Sequence, residues 1–351
     1  MEQDSQRRTR VWIAWIAALG APACAPDGVA TSSAEQASTV RAPLQQQGRE
    51  LQGMQLQGLL LAGMAMQGFQ LEGATLGDQP LSHLRIEHGE LVAEQDQVAL
   101  RGAALVGAHL YARVGDPGGV LPVTVLVEYR ITDIFAEDPK YDPMDTGSTW
   151  LYTLEQNVDH TGSWQPACGA DLDGRRVAIP LAATWNTHGD RVESSALFTF
   201  GCTTGVIAKC YRWGYRPWVT GYGDLTAMHW ACTRLARADY CGDGVPHTED
   251  GTWINLWDDV PPPGPIQDHG ARTLGGMHFE AAWNTDGAAC ISRTRWKDSM
   301  KSLSRPCLQQ RILGGHAKKF CDTVEDAQRH DRTVLLFNES FDDPLHPHLP
   351  K

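Results

Sequence analysis

Residues 237–250 read R-A-D-Y-C-G-D-G-V-P-H-T-E-D, a run that combines a cysteine, an aromatic residue, two glycines and several acidic groups. Upstream, residues 202–210 begin and end with cysteine, and residues 213–218 read W-G-Y-R-P-W. Aromatic side chains beside cysteines indicate a compact, cross-linked core, and the Gly-Asp-Gly run indicates an irregular loop over that core. We therefore expect the rest of the chain to be organised around residues 202–258.

Five segments of this region resemble the ADYC-domain family, a group of exported bacterial proteins named after the tetrapeptide found here at residues 238–241. They span roughly residues 160–300 and comprise C-T-T-G-V-I-A-K-C at 202–210, W-G-Y-R-P-W at 213–218, R-A-D-Y-C-G-D-G at 237–244, and the segments 251–258 and 283–290. The resemblance implies a disulfide-rich domain. It implies no mechanism, because the family has no established activity.

The start of the chain has the features of an export signal. Three arginines precede an apolar stretch at residues 11–19, and a small-residue A-P-A cleavage site follows. That stretch is too short to span a bilayer, which takes about 20 residues. Cys24, directly after the site, resembles the lipid-accepting cysteine of bacterial lipoproteins, although Ala21 stands where that family usually has leucine. We expect a signal peptide at 1–23, then a lipidated Cys24 and a flexible tether over 24–50; ordinary cleavage without a lipid is the alternative.

These features predict a protein of the cell envelope, held by a lipid anchor at the outer membrane or the cell surface. The sequence contains nine cysteines. With Cys24 set aside an even number remains, as intrachain disulfides in an exported protein require. The predicted disulfide cysteines are Cys168, Cys202, Cys210, Cys232, Cys241, Cys290, Cys307 and Cys321. Spacing does not choose their connectivity. The resemblance implies a bond between Cys307 and Cys321, because both lie past the ADYC-like region.

A five-residue period precedes this domain. Leucine or methionine recurs at every fifth position from 51 to 81, and glycine follows two places later in the first five repeats. Such a period fits neither a helix nor a strand, and it resembles the pentapeptide-repeat family, whose chains wind into a right-handed square β-helix. We expect a short pentapeptide-repeat-like β segment over 51–115 that packs on the following domain. A Gly-rich linker or an ordinary β meander is the alternative.

The remaining chain is predicted to be mainly β with a few short helices, an α+β fold. Residues 121–134 are rich in Val, Leu, Tyr and Ile, which is typical of strands. One helix is expected over 206–213, closed by Gly214, and another over 225–238, with Asp224 as its N-cap.

The domain boundaries follow from these elements. We assign 116–300 to the ADYC-like disulfide-rich domain and 301–351 to a C-terminal helical extension, with short helices at 298–303, 307–313 and 316–329.

The net charge of −12 argues against a nucleic-acid partner, which normally requires a basic excess. No C-x-x-C pair is present and the cysteine spacings do not fit a zinc site, so we expect no metal or other cofactor. Calcium is the alternative, because acidic residues surround the glycines of the loop, although their spacing misses the EF-hand pattern. The candidate functional loop consists of Asp239, Asp243, His247, Glu249 and Asp250.

Two function classes remain. The first, which we favour, is a non-catalytic lipoprotein that binds an unknown envelope or extracellular ligand or serves structurally. The second is an exported, hydrolase-like enzyme in which acidic and histidine residues of 229–250 supply a base and an orienting carboxylate. No nucleophile or metalloprotease motif fixes such a site. A concave pocket where these groups converge would favour the enzyme.

Overall fold

Antiparallel strands account for most of the structure. A computed structural model describes residues 54–56, 69–115, 124–138, 149–157, 162–171, 173–186, 188–194, 197–219, 221–248, 252–260, 265–269, 276–295 and 320–341. All of these residues belong to one unit, Arg41–Lys351. The prediction of a mainly β, α+β fold with disulfides is confirmed.

The first strands are β1 (Met54–Leu56), β2 (Phe69–Leu76), β3 (Gln79–Pro80), β4 (Ser82–Glu87), β5 (Glu90–Gln95), β6 (Val98–Arg101), β7 (Ala108–Gly115), β8 (Thr124–Ala136) and β9 (Trp150–Asn157). The later strands are β10 (Gln165–Pro166), β11 (Val177–Leu181), β12 (Ala183–Trp185), β13 (Arg191–Glu193), β14 (Leu197–Cys202), β15 (Thr252–Asp258), β16 (Met277–Asn284), β17 (Gly287–Ile291) and β18 (Leu336–Phe341). The helices are α1 (Val206–Arg212), α2 (Thr226–Arg237) and α3 (Val324–His330), and a 3-10 turn spans Gly102–Leu105.

Six strands form an antiparallel sheet that closes on itself. They are paired in the order β9, β11, β14, β2, β7 and β8, and β8 pairs back to β9. This closing pair runs along the whole of β9, with Ile131 opposite Leu154. Each of the six strands therefore has a hydrogen-bonded neighbour on both sides.

The interior of the closed sheet is filled by side chains from alternate positions. On β8, Val127, Tyr129 and Ile131 are buried, while Glu128 and Arg130 between them are only half-buried, as the two-residue period of a strand requires. A three-stranded sheet of β4, β5 and β6 packs against the same core through Leu91 and Ala93 of β5. The Tyr152 hydroxyl accepts the Leu91 N–H at 2.9 Å and joins the two sheets.

The second large sheet has the order β1, β15, β18, β16 and β17 and is antiparallel throughout. Helix α2 packs on one face, where Leu235 meets Ile254 and Trp283 in one buried cluster. Helix α3 packs on the other face, where Ala327 joins Trp257 and Phe337. Every residue of β15 is buried, because the sheet is covered on both sides.

Both helices predicted in the ADYC-like region are present. Helix α1 is followed by Trp213 and by Gly214, whose φ is 98°, as a helix closed by glycine requires. Helix α2 starts one residue later than predicted, since Leu225 is the N-cap residue and forms no side-chain cap. Asp224 still stabilises this end, because its Oδ1 accepts the Thr226 N–H at 2.9 Å.

Three disulfides join described residues: Cys168–Cys202 links the segment after β10 to β14, Cys210–Cys232 links α1 to α2, and Cys290–Cys321 links β17 to the approach to α3. Cys241 is also disulfide-bonded. The expected bond between Cys307 and Cys321 is wrong, because Cys321 pairs with Cys290. The reason is that the segment before α3 returns to β17, so Cys321 is not part of a separate extension.

The pentapeptide-like segment does not form a β-helix over residues 69–115. A β-helix stacks parallel coils, whereas β2 pairs antiparallel with β7, and β4 to β6 form an antiparallel meander. Too few repeats are present to bury their own faces, and β2 and β7 instead complete the closed sheet with β8 and β14. Residues 57–68 lie outside the described residues. The boundary expected at 115/116 therefore falls inside one sheet.

The predicted C-terminal helical extension needs a similar correction. The expected helices at 298–303 and 307–313 lie outside the described residues. Helix α3 overlaps the predicted range 316–329 and ends one residue beyond it, and the Thr323 hydroxyl accepts the Asp326 N–H at 3.2 Å as an N-cap. Strand β18 then inserts between β15 and β16. The chain beyond 300 thus contributes an internal strand of the second sheet, with Leu336 buried in the cluster on one face and Phe337 in the cluster on the other.

Candidate functional site

The ADYC tetrapeptide begins where α2 ends. Ala238 adopts the left-handed conformation, with φ 51° and ψ 41°, and its N–H donates to the Leu235 carbonyl at 3.0 Å. The next N–H, of Asp239, donates to the Arg234 carbonyl at 2.9 Å. A side chain in this conformation costs about 1–2 kcal/mol relative to the right-handed form. Ala238 is fully buried, and its surroundings hold the turn in place.

Asp239 fixes the loop that follows. Its Oδ1 accepts the Asp243 N–H at 3.1 Å, and its Oδ2 accepts the Gly244 N–H at 3.0 Å. Arg234 Nη1 donates to the same Oδ2 at 2.5 Å. Burial raises the pKa of the Asp239 carboxyl, and the Arg234 guanidinium opposes that shift. Only 1% of Asp239 is exposed, so a substrate in solvent could not reach it.

Arg234 joins α2 to two other parts of the chain. Its Nε donates to the Thr285 carbonyl at 3.1 Å and its Nη1 to the His188 carbonyl at 2.5 Å. Its Nη2 forms an ion pair with Asp190 Oδ1 at 2.5 Å. The helix, the hairpin between β16 and β17 and the loop before β13 therefore meet on one guanidinium.

Tyr240 connects the tetrapeptide to the second sheet. Its ring stacks on Trp283 with centroids 5.2 Å apart. Its hydroxyl donates to Glu280 Oε1 at 2.9 Å and accepts the Arg295 N–H at 2.7 Å. Burial raises the pKa of the Tyr240 hydroxyl well above its usual value, and the negative charge of Glu280 adds to that shift. The hydroxyl is a neutral structural donor.

Glu280 and Arg295 form a fully buried ion pair beneath this tyrosine. Arg295 Nη2 and Nε donate to the two carboxylate oxygens of Glu280, each at 3.1 Å. The same guanidinium donates to the carbonyls of Leu235 at 3.0 Å and Ala236 at 3.3 Å. These carbonyls lie in the last turn of α2. A cation there supplies the missing hydrogen-bond donors and interacts favourably with the negative end of the helix dipole. The pair therefore caps α2 from inside the protein.

Two glycines allow the tetrapeptide and the β16–β17 hairpin to touch through their backbones. A Cβ on Gly242 would lie 2.2 Å from the Asp286 carbonyl oxygen, and one on Gly287 would lie 2.7 Å from the Gly242 nitrogen. Both residues have positive φ, 68° and 102°. The Ala288 N–H donates to the Tyr240 carbonyl at 3.1 Å beside this contact. The two motifs at 237–244 and 283–290 thus form one joint.

Of the predicted functional loop, the structure describes Asp239, Asp243 and His247, and these three side chains differ in burial. The Asp239 carboxylate is occupied by the loop N–H groups and by Arg234. Asp243 is exposed, and its Oδ1 accepts the Val245 N–H at 3.0 Å. His247 is half-buried against Tyr240, and burial lowers the pKa of its ring. Glu249 and Asp250 lie outside the described residues.

His229, the other candidate base, lies in the core between α1 and β12. Its ring is 4.1 Å from that of Tyr211 and 5.8 Å from that of Trp185, measured between centroids. Its Nε2 is 3.0 Å from the Ile207 carbonyl and donates to it, and no described group pairs with its Nδ1. Complete burial lowers the pKa of His229 from 6.5 to about 3, so the ring is neutral.

The sequence analysis did not single out Arg234, Glu280 or Arg295. One signal was available for Arg234. It lies three residues after Ala231 and next to Leu235, so it places a positive charge on the otherwise apolar face of α2. No local signal pairs Glu280 with Arg295. Their contact depends on the return of the chain after β17.

A concave site lies elsewhere, where the start of α2, the end of β15 and the connection from α3 to β18 meet. This cleft has a volume of about 540 Å³. Its polar lining consists of Tyr222, Asp224, Asp259, Gln328, Asp331 and Arg332, and its apolar lining of Leu225, Ala227, Met228, Val260, Val334 and Leu335. Among the described residues of this lining there is no histidine, serine, threonine or cysteine. The three described loop residues, Asp239, Asp243 and His247, are not part of that lining.

Comparison with known proteins agrees with the motif resemblance. A protein-family model described as ADYC domain matches residues 102–297, more than half of the chain. No curated protein and no solved structure matches the chain. Within the described ranges, no group of three or more His, Cys, Asp or Glu residues is arranged to hold a metal ion. No helix in that same part of the chain is long and apolar enough to cross a membrane.

Proposed function

The chain belongs to the ADYC-domain family, and from that premise we propose that it is an exported, lipid-anchored binding module of the cell envelope without catalytic activity. The observation that carries the proposal is that three acid–base groups on and around α2 are buried. Asp239, Glu280 and His229 are 1%, 0% and 0% exposed. A general base must come within hydrogen-bonding distance of its substrate, and these groups instead hold the protein together.

The disulfides support export. Bonds between cysteines form and persist in oxidising compartments and are rare in the cytosol, and three of them lie in the described part of the chain. The sequence features before Cys24 support the proposed lipid anchor. Such an anchor holds a protein at a membrane through buried methylenes, each contributing about 0.8 kcal/mol.

The anchor is tested by expressing the full chain and its Cys24→Ala variant in a bacterial host and separating membrane and soluble fractions. We expect the unaltered chain in the membrane fraction, with a lipid mass on its N-terminal cysteine, and the variant in the soluble fraction. Soluble protein with an unmodified Cys24 would contradict the anchor.

Binding is tested by following the melting temperature of the purified protein against metals, glycans and peptidoglycan fragments. A ligand that binds only the folded state raises the melting temperature in proportion to its occupancy. We expect at least one compound to do so without being converted. Turnover of that compound, lost in a variant that still melts normally, would favour the hydrolase-like alternative.

A further inference from the structure

The cleft between α2, β15 and the α3–β18 connection combines two surfaces of different chemistry. Its floor is apolar: Leu225 and Met228 are 2% and 8% exposed, and Val334 and Leu335 are partly buried beside them. Its volume falls within the range of about 300–1,000 Å³ that is usual for small-molecule sites.

The rim of the cleft carries an excess of negative charge. Among its described lining residues, Asp224, Asp259 and Asp331 are acidic and Arg332 is the one cation. The Thr226 side chain and N–H lower the pKa of Asp224, so this carboxylate is charged at neutral pH. Asp331 is committed locally, because its Oδ1 accepts from both the N–H and the hydroxyl of Thr333.

Asp224 and Asp259 keep acceptor capacity for a ligand. Both are exposed; Asp224 accepts from the N–H and the side chain of Thr226, and Asp259 accepts from Gln328 Nε2. An ionised carboxylate can accept about four hydrogen bonds. Tyr222 is half-buried and adds an aromatic ring to the same lining, and the face of an aromatic ring attracts cations.

We propose that this cleft binds an organic cation that carries an ammonium group on an aliphatic stem, with the ammonium at Asp224 and Asp259 and the stem on the apolar floor. The inference rests on the proposed binding role and adds the chemical class of the ligand. An anion would meet the carboxylate excess, and a small metal ion would leave the apolar floor unused.

The test uses n-hexylammonium as the probe, with 1-hexanol and hexanoate as matched neutral and anionic probes of the same chain length. Calorimetric titration of the purified full chain should show binding of the ammonium compound only. Its affinity should fall at high ionic strength, since the charges are exposed. It should also rise up to about fourfold for each methylene added to the stem. Equal binding of hexanoate, or no binding of the ammonium compound, would overturn the assignment.

Variants locate the charge. Asp224→Asn with Asp259→Asn keeps an oxygen for each existing hydrogen bond and should weaken hexylammonium binding about two- to fivefold for each carboxylate removed. Asp243→Asn is the matched control, because Asp243 is also exposed and also accepts the N–H two residues ahead, outside the cleft. The single variants replace the double variant if it melts early. Unchanged hexylammonium affinity in the Asp224 and Asp259 variants overturns the proposal. Failure of the Cys24 anchor test has no bearing on this binding experiment and contradicts only the proposed membrane location.

Discussion

Acidification should destabilise this protein through His229. The ring is fully buried, and its environment lowers its pKa from 6.5 to about 3. Desolvation is the main cause, and the positive charge of Arg191 adds to it, while the hydrogen bond to the Ile207 carbonyl acts in the opposite direction. A second proton would have to sit on Nδ1, for which no described group offers an acceptor.

The sign follows from the order of the two pKa values. Because the folded-state value lies below the unfolded-state value of 6.5, the stability linked to His229 is fully present above pH 6.5 and is lost as the pH falls toward 3. One unit of pKa corresponds to about 1.4 kcal/mol. Lowering the pH to about 5 should therefore reduce the free energy of unfolding by about 2 kcal/mol through this ring alone.

The measurement compares urea unfolding of the unaltered chain and His229→Gln, disulfides intact, at about pH 7.5 and about pH 5. Glutamine keeps a donor for Ile207 but does not titrate, so the difference between the two proteins should shrink by about 2 kcal/mol on acidification. Trp185→Phe disturbs the same cluster without a titrating group, and its difference should stay constant. If the difference in unfolding free energy between the unaltered chain and His229→Gln does not change with pH, the reasoning is refuted. His229 would then be a candidate base again, because its ring would exchange protons with solvent.

Three further substitutions test the joint around the tetrapeptide, each by urea unfolding. Gly242→Ala should cost roughly 3 kcal/mol or more, since its φ is 68° and the new Cβ would lie 2.2 Å from the Asp286 carbonyl oxygen; a loss below about 1 kcal/mol would contradict the close contact. Tyr240→Phe should cost about 2 kcal/mol, because Glu280 loses a buried donor; a neutral effect would show that the hydroxyl is dispensable. Asp243→Asn should stay within about 0.5 kcal/mol, because its side chain is exposed and the amide oxygen still accepts from the loop; a large loss of function with normal stability would make Asp243 a site residue.

Features that are encoded within a few residues were predictable from the sequence. Gly214 after α1 and Asp224 before α2 act on backbone groups at most three residues away, so their chemistry is legible without knowing the fold. The same holds for the irregular loop predicted at Gly-Asp-Gly, where Gly242 and Gly244 have positive φ values of 68° and 83° that glycine adopts readily.

Features that depend on distant partners were not predictable. Cys321 could have bonded any other cysteine, and its partner Cys290 is chosen by the return of the chain to β17. The five-residue period suggested stacked coils, but Leu71 and Leu76 lie on β2, and the pairing of that strand is settled by β7 and β14. The cleft could not be predicted either, because its lining combines residues that are distant in the sequence, from 222–228, 259–260 and 328–335.

The contacts of the tetrapeptide give each of its four residues a structural role. Ala238 ends α2, Asp239 holds the following loop, Tyr240 reaches the Glu280–Arg295 pair, and Cys241 forms a disulfide. Each position therefore has a structural task, and a chain that matches the motif is expected to share this joint without sharing a ligand. Because function resides in sites placed on a fold, the specific activity of this protein should be sought away from its most recognisable residues. The cleft at the start of α2, which none of the four residues lines, is the place to look.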